Sequence, residues 1–241
     1  MKADYLIDIQ KPARYAGGEW GAASPKDEAR LTFVFAYPET YEVGMSYLGL
    51  QILYSILNAQ PEIRCARAFA PWTDREQQMR FADEPLRALE GGLPVGQADI
   101  VGFSLQHELA YTNVLLMLDL AGVPLHSEER TENHPLIVAG GPCVCNPAPM
   151  SPFIDAFVIG EAEESVVELA NTVLECNKQN ASRSEILRRL ARIPGVFVPS
   201  LHERTHNRLG ELCFGDAIET NIPQRVSKRI VDTANWLFPT T

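Results

Sequence analysis

No stretch of this sequence strings together the roughly 20 apolar residues that span a bilayer, although 46% of its 241 residues are hydrophobic and 22% are charged. The composition is that of a soluble globular chain, long enough to bury a real core. The opening residues, MKADYLIDIQKPARY, break their apolar side chains with Asp4, Asp8 and Lys11, so the apolar core of a signal peptide is missing too. No membrane partner and a cytoplasmic location are expected. Positive charge is scarce: 21 Lys and Arg stand against 31 Asp and Glu, a net charge of −10. That balance argues against a nucleic-acid partner, because phosphate binding needs a positive footprint. Arg188, Arg189 and Arg192, with Lys228 and Arg229, are the basic clusters and read as solvated surface.

Cysteine is sparse and unpaired in pattern. Cys65, Cys143, Cys145, Cys176 and Cys213 are odd in number and scattered, unlike a secreted disulfide framework. Cys143 and Cys145 form a CxC with no second pair at zinc or iron–sulfur spacing, so no metal site is expected. Catalytic signatures are absent as well: there is no G-x-S-x-G, no Walker A lysine, no H-E-x-x-H and no G-x-G-x-x-G after a strand.

What the chain does have is alternation. Residues 1–30, rich in Gly, Ala and Pro, read as an arm. Short apolar runs follow at 31–38 (LTFVFAYP), 98–105 (ADIVGFSL), 135–142 (PLIVAGGP) and 155–161 (DAFVIGE), with a weaker one at 65–71 (CARAFAP). Helical patterns lie between them at 46–58, 74–81, 108–121 and 162–177. Near-continuous apolar strands mean that both faces of the sheet are covered, so the expected fold is a doubly wound, mainly parallel α/β sheet over 31–177. Residues 178–241 read as an extension: an amphipathic helix capped by Ser182 or Ser184, a β-hairpin turning at 207–210, and a connector ending in Trp236, Leu237, Phe238 and Pro239. Those exposed aromatics are expected to pack on a further domain or partner.

Four strand-end loops carry the chemistry expected of a ligand-binding edge. The first sets Tyr37, Pro38, Tyr41, Gly44, Met45 and Ser46 together, with Gly44 allowing close backbone approach and Ser46 leading into a helix N-terminus. An ordinary strand–helix turn with locally packed tyrosines is the alternative. The second offers Ser104, Leu105, Gln106 and His107. Ser104 serves equally as a helix cap, and His107 as a helix-start histidine without a role. In the third, Gly140, Gly141 and Pro142 leave the backbone open to a flat or bulky ligand, since a tight turn alone needs one glycine. The fourth places Glu161, Glu163 and Glu164 after Gly160, at a helix start that favours carboxylates. No catalytic residue emerges from these loops, because the Ser104/His107 pair lacks a buried acid to orient it.

The segments KPARYAGGEW (11–20), AYPETYEVGMSYLGLQILY (36–54), FAPW (69–72), DIVGFSLQHELAYTNVLLMLDLAG (99–122), HPLIVAGGPC (134–143) and DAFVIGEAEE (155–164) resemble the N-terminal cobalamin-binding-like domain of radical S-adenosylmethionine (SAM) proteins, in particular a bacterial family of unassigned function. The resemblance implies a flavodoxin-like sheet that holds a corrinoid in the four loops. It also implies a separate barrel, in cis or in trans, that binds a 4Fe–4S cluster and S-adenosylmethionine through a CxxxCxxC motif and supports methyl transfer or rearrangement. This sequence contains no CxxxCxxC, so those groups belong to a domain outside it. It also departs from the D-x-H-x-x-G pattern, because no aspartate stands two residues before any histidine; the cobalamin implied is one without a histidine ligand. Two alternatives stand beside this reading. One is a non-catalytic scaffold that binds no cofactor, the other a phosphate- or nucleotide-binding domain using helix starts at Ser46 and Ala162.

Overall fold

The computed structural model describes residues 6–24 and 26–231, so the aromatic terminus at Trp236–Pro239 lies outside the described residues. Five apolar runs become strands: β1 (Leu31–Tyr37), β2 (Ile63–Phe69), β3 (Ile100–Ser104), β4 (Leu136–Gly140) and β5 (Ala156–Val158). They pair in the order 2-1-3-4-5, all parallel. This is the flavodoxin-like order, whose strand sequence reverses between β1 and β3. A sixth strand, β6 (Val196–Phe197), joins antiparallel to β5. Val196 and Phe197, which precede the hairpin, are buried against β5 and so join the sheet. The hairpin itself comprises β7 (His202–His206) and β8 (Leu212–Ala217).

Alternation within the strands feeds two cores. Leu31, Phe33, Phe35 and Tyr37 face the helices α3 (Leu48–Asn58), α6 (Ser165–Lys178) and α7 (Arg183–Leu190). Val34, Ala36, Val101, Phe103 and Ile137 face α5 (Tyr111–Leu120) and the segment 86–98. Phe33 and Phe157 are among the largest side chains with less than 2% exposure. Each such burial contributes about 1.5–3 kcal/mol. Ser182 caps α7 by accepting from the Glu185 backbone N–H. None of the helices described is long and apolar enough to cross a membrane.

The amino ends of the strands are fixed by two aspartates used in the same way. Asp99 donates its backbone N–H to the Thr32 carbonyl and accepts the Thr32 N–H on Oδ2 at 2.7 Å. Asp155 does likewise with Ile137, its Oδ2 again 2.7 Å from the backbone nitrogen. In each case a carboxylate stands in for the carbonyl that the ladder lacks where it begins. Asp155 is more deeply committed. Its carboxylate also takes Arg130 at 3.1 Å and Arg183 at 2.7 Å, with all three side chains at least 89% buried by exposures of 2%, 0% and 11%. Arg130 spends its other donors on the Pro124, Leu125 and Phe153 carbonyls, and Arg183 on those of Thr131, His134 and Pro135.

The outer edge of β2 is covered by side chains and by the arm. Lys26 donates to the Ile63 carbonyl, Asn58 brackets both backbone groups of Cys65, and Arg67 gives its N–H to Glu90 while its carbonyl accepts from Leu89. The Arg67 guanidinium, 3% exposed, pairs with Glu90 and lies 4.2 Å over the Tyr54 ring. The arm, including α1 (Ala13–Ala16), is held by Lys11 and Arg14 on Glu42 and by Arg14 stacked on Trp72.

Two outcomes follow. Asp155→Ala strands two buried guanidinium groups without their counter-charge, so urea unfolding should show a loss of about 3–5 kcal/mol; a loss below about 1 kcal/mol would mean the cluster holds nothing. The Arg14 hydrogen bond holds the Glu42 carboxyl down from 4.5 to about 2. Because the folded value is the lower one, the clamp is fully present above pH 4.5 and is lost as pH falls towards 2. Trp72 fluorescence should change across that window, and Glu42→Gln should remove the transition.

Candidate functional site

The carboxyl ends of β1 and β3 meet at the reversal point of the sheet, where ligands enter open α/β folds. Beyond β1, the first loop is not a plain turn. It folds into a short helix, α2 (Tyr41–Met45), whose end is marked by Ser46 donating its hydroxyl to the Glu42 carbonyl at 2.6 Å. Helix α3 therefore begins at Leu48 rather than at Ser46, and α6 at Ser165 rather than at Ala162. Gly44 is buried, and a Cβ there would collide with the Phe69 ring and approach that of Tyr37. Its smallness serves aromatic packing: Tyr41 meets Phe69 edge-on at 5.6 Å and Tyr37 lies 5.5 Å from Tyr47. The Met45 carbonyl accepts from Gln51.

The second loop is stitched to its neighbours on both sides. Leu105, buried, donates its N–H to the Gly140 carbonyl at 2.8 Å, and its own carbonyl accepts from Cys143 at 3.2 Å. Ser104 makes no helix cap; its hydroxyl accepts from the Gln106 amide at 2.8 Å. His107 is exposed and places Nε2 3.3 Å from Glu39 Oε1, bridging the loops of β3 and β1 across the reversal point. Asn113 adds a second bridge by donating to the Pro38 carbonyl at 2.9 Å.

In the third loop the two glycines differ. Gly141 has φ +102°, and a Cβ there would stand 2.7 Å from the Leu105 carbonyl oxygen. The close approach that requires glycine is thus made by the chain itself. Gly140 has ordinary room, with the nearest atom 3.8 Å away. Pro142, itself exposed, opens a single turn over Pro142–Cys145 in which Val144 is buried. Cys143 packs beside Tyr111, and burial followed by that neighbouring thiol pushes the phenol up to about 12. Burial and the nearby Glu108 raise the Cys143 thiol.

The fourth loop is taken by the connector. Gly160, at φ +105°, forms a parallel bridge with Arg229, whose backbone occupies the space of a Cβ. Glu161 donates its N–H to the Arg229 carbonyl and accepts the Val231 N–H, while the Arg229 guanidinium spans Glu164 at 2.6 Å and Glu168 at 2.7 Å. That pairing holds the Glu168 carboxyl below its usual range. Glu163 forms no ion pair among the described residues. Of the carboxylates that the sequence offered as a helix-start cluster, only Glu164 holds this arginine, 65 residues downstream, while Glu161 takes the Val231 N–H.

The structure thus brings the first three loops together and sets the fourth against the connector. What they assemble is an exposed imidazole beside a half-buried carboxylate, an amide, a hydroxyl and a thiol. No nucleophile is aligned with a base and an orienting acid. Among the described residues no three of His, Cys, Asp and Glu gather to hold a metal ion. Sequence reasoning missed the bridges through Glu39, Asn113 and Tyr111 because each joins loops far apart in the chain.

A model of the N-terminal region of radical SAM proteins matches residues 49–199. An uncharacterized protein of Methanocaldococcus jannaschii is 26% identical over 136 residues, which are 55% of this chain and 24% of that relative. The chain therefore spans about a quarter of the length of the curated relative it matches. No solved structure matches it. With the family model covering most of the sheet and its loops, this chain belongs to the radical SAM proteins, as their N-terminal region.

Proposed function

We propose that this chain is a non-catalytic module of a longer radical SAM protein, a doubly wound scaffold that seats the barrel carrying the iron–sulfur cluster and S-adenosylmethionine. The observation that carries this reading is the character of the carboxyl edge. It presents Leu48 at 63% and Leu109 at 86% exposure, with Val43 at 49%, around loops that are stitched shut beneath them. Apolar side chains so exposed and so close in the fold are suited to a protein surface. The connector supports the same edge as the meeting place, because Arg229 and Val231 are tied down beside Gly160.

The loop glycines lend a corrinoid no support of their own, because at three of the four the space of a Cβ is taken by the chain itself: Gly44 by Phe69, Gly141 by Leu105 and Gly160 by Arg229. The helix starts named for the phosphate alternative shift by two or three residues, to Leu48 and Ser165.

Two measurements test the proposal. After incubation with hydroxocobalamin and desalting, the chain should keep no corrinoid absorbance; retention that disappears in Gly140→Trp would return the module to the cobalamin binders. Leu109→Asp should weaken association with a separately produced barrel domain by about tenfold or more, the scale of a buried leucine. Unchanged association in Leu48→Asp/Leu109→Asp would remove this edge as the docking surface.

A further inference from the structure

A cleft of about 670 Å³ lies away from all four loops, between the arm, the outer side of β2, the helix α4 (Thr73–Ala82) and the turn at 86–92. Its size is that of a small-molecule site. Its charge is the reverse of the chain's. In a protein of net charge −10, four arginines line it: Arg14, Arg64, Arg75 and Arg87. The carboxylate in its wall is Glu90, and Arg67 already engages that group at 2.6 Å.

The four guanidinium groups are not equally occupied. Arg14 is held by Glu42 at 2.9 Å and Arg75 by Glu84 at 2.8 Å, so both are oriented from outside the cleft. Arg64 makes one long contact, 3.4 Å to the Glu90 carbonyl, and no ion pair among the described residues. Arg87 gives Nη1 to the Gly92 carbonyl at 2.9 Å, but its Nε–H is shut away from solvent without a hydrogen bond, the Glu84 carboxylate being 3.8 Å off.

The walls are shaped by two glycine pairs in left-handed backbone, Gly17–Gly18 on the arm and Gly91–Gly92 opposite. Gly17 closes on the Leu89 carbonyl and Gly91 on the Arg64 guanidinium, whereas Gly18 faces open space. Tyr15 and Phe69 supply aromatic surface in the same cleft. The geometry points to this cleft as a binding site for a small organic oxyanion of about a mononucleotide's size, its phosphate or carboxylate gripped by Arg64 and Arg87 and its flat or aliphatic part laid on the aromatic wall. Guanidinium forks recognise both oxyanions in the same bidentate manner.

Isothermal titration of the 241-residue chain with adenosine 5′-monophosphate, citrate and adenosine tests the assignment. At least one of the two anions should bind saturably, more weakly as salt rises, while uncharged adenosine should not. Preference for the nucleotide assigns a phosphate, and preference for citrate a carboxylate. Arg64→Ala and Arg87→Ala should each weaken binding by about tenfold or more, as for loss of a hydrogen bond to a charged group. Arg64→Lys, which keeps the charge, should fall between; a residue that merely props the 89–92 turn would change the melting temperature without changing the salt dependence. Adenosine binding as well as its phosphate, neither anion binding at millimolar concentration, or affinity untouched in both alanine variants would each overturn the assignment.

Discussion

One carboxylate holds the amino side of this protein together. Asp155 meets a neighbouring strand and two arginines, and through their remaining donors it gathers the 124–135 loop, Phe153 and the start of α7. Parallel strands have no hairpins to align them, so their relative height must be fixed by something other than connection. Here a side chain does it. Removing two positive charges from water is offset only if the anion is in contact with both and the spare N–H groups are satisfied. Burial, with a smaller push from the neighbouring Arg183, pulls the Arg130 guanidinium down against the opposing charge of Asp155.

The two ends of the sheet are accordingly different in kind. The amino end is locked by acids that complete the backbone ladder. The carboxyl end is tied by lighter bonds between loops, an amide to the Pro38 carbonyl and an imidazole beside Glu39, with large apolar side chains left outward. The sheet is thus locked by buried ion pairs at one end and tied by single hydrogen bonds at the other.

The sheet was legible because a buried parallel strand needs apolar residues on both faces, and LTFVFAY, IVGFS and LIVAG have them. Ser182, the hairpin turn and the alternation of elements were equally local signals. β6 was not, because two residues carry no period and their partner, Phe157, lies some 40 residues back, about eight times the length of an ordinary strand. The four loops lie at strand ends, where the apolar runs put them, but what approaches their glycines was not legible. A glycine announces that something comes close, not what. At Gly44, Gly141 and Gly160 the visitor is an aromatic ring, a carbonyl and a downstream backbone, none of which spacing along the sequence reveals. Arg64 and Arg67 in an otherwise apolar strand were the readable sign that β2 lies at an edge and that charge gathers beside it.

The covering of β2 has a consequence for how the protein behaves in a crowd. An edge strand exposes a row of unpaired amides, and two molecules can extend one another's sheets along it. Here Lys26, Asn58, Leu89 and Glu90 have already paired with those groups at Ile63, Cys65 and Arg67, while the far edge ends in a strand of two residues. Copies that meet along β2 find those backbone groups already paired, so the six-stranded sheet is not lengthened at that edge.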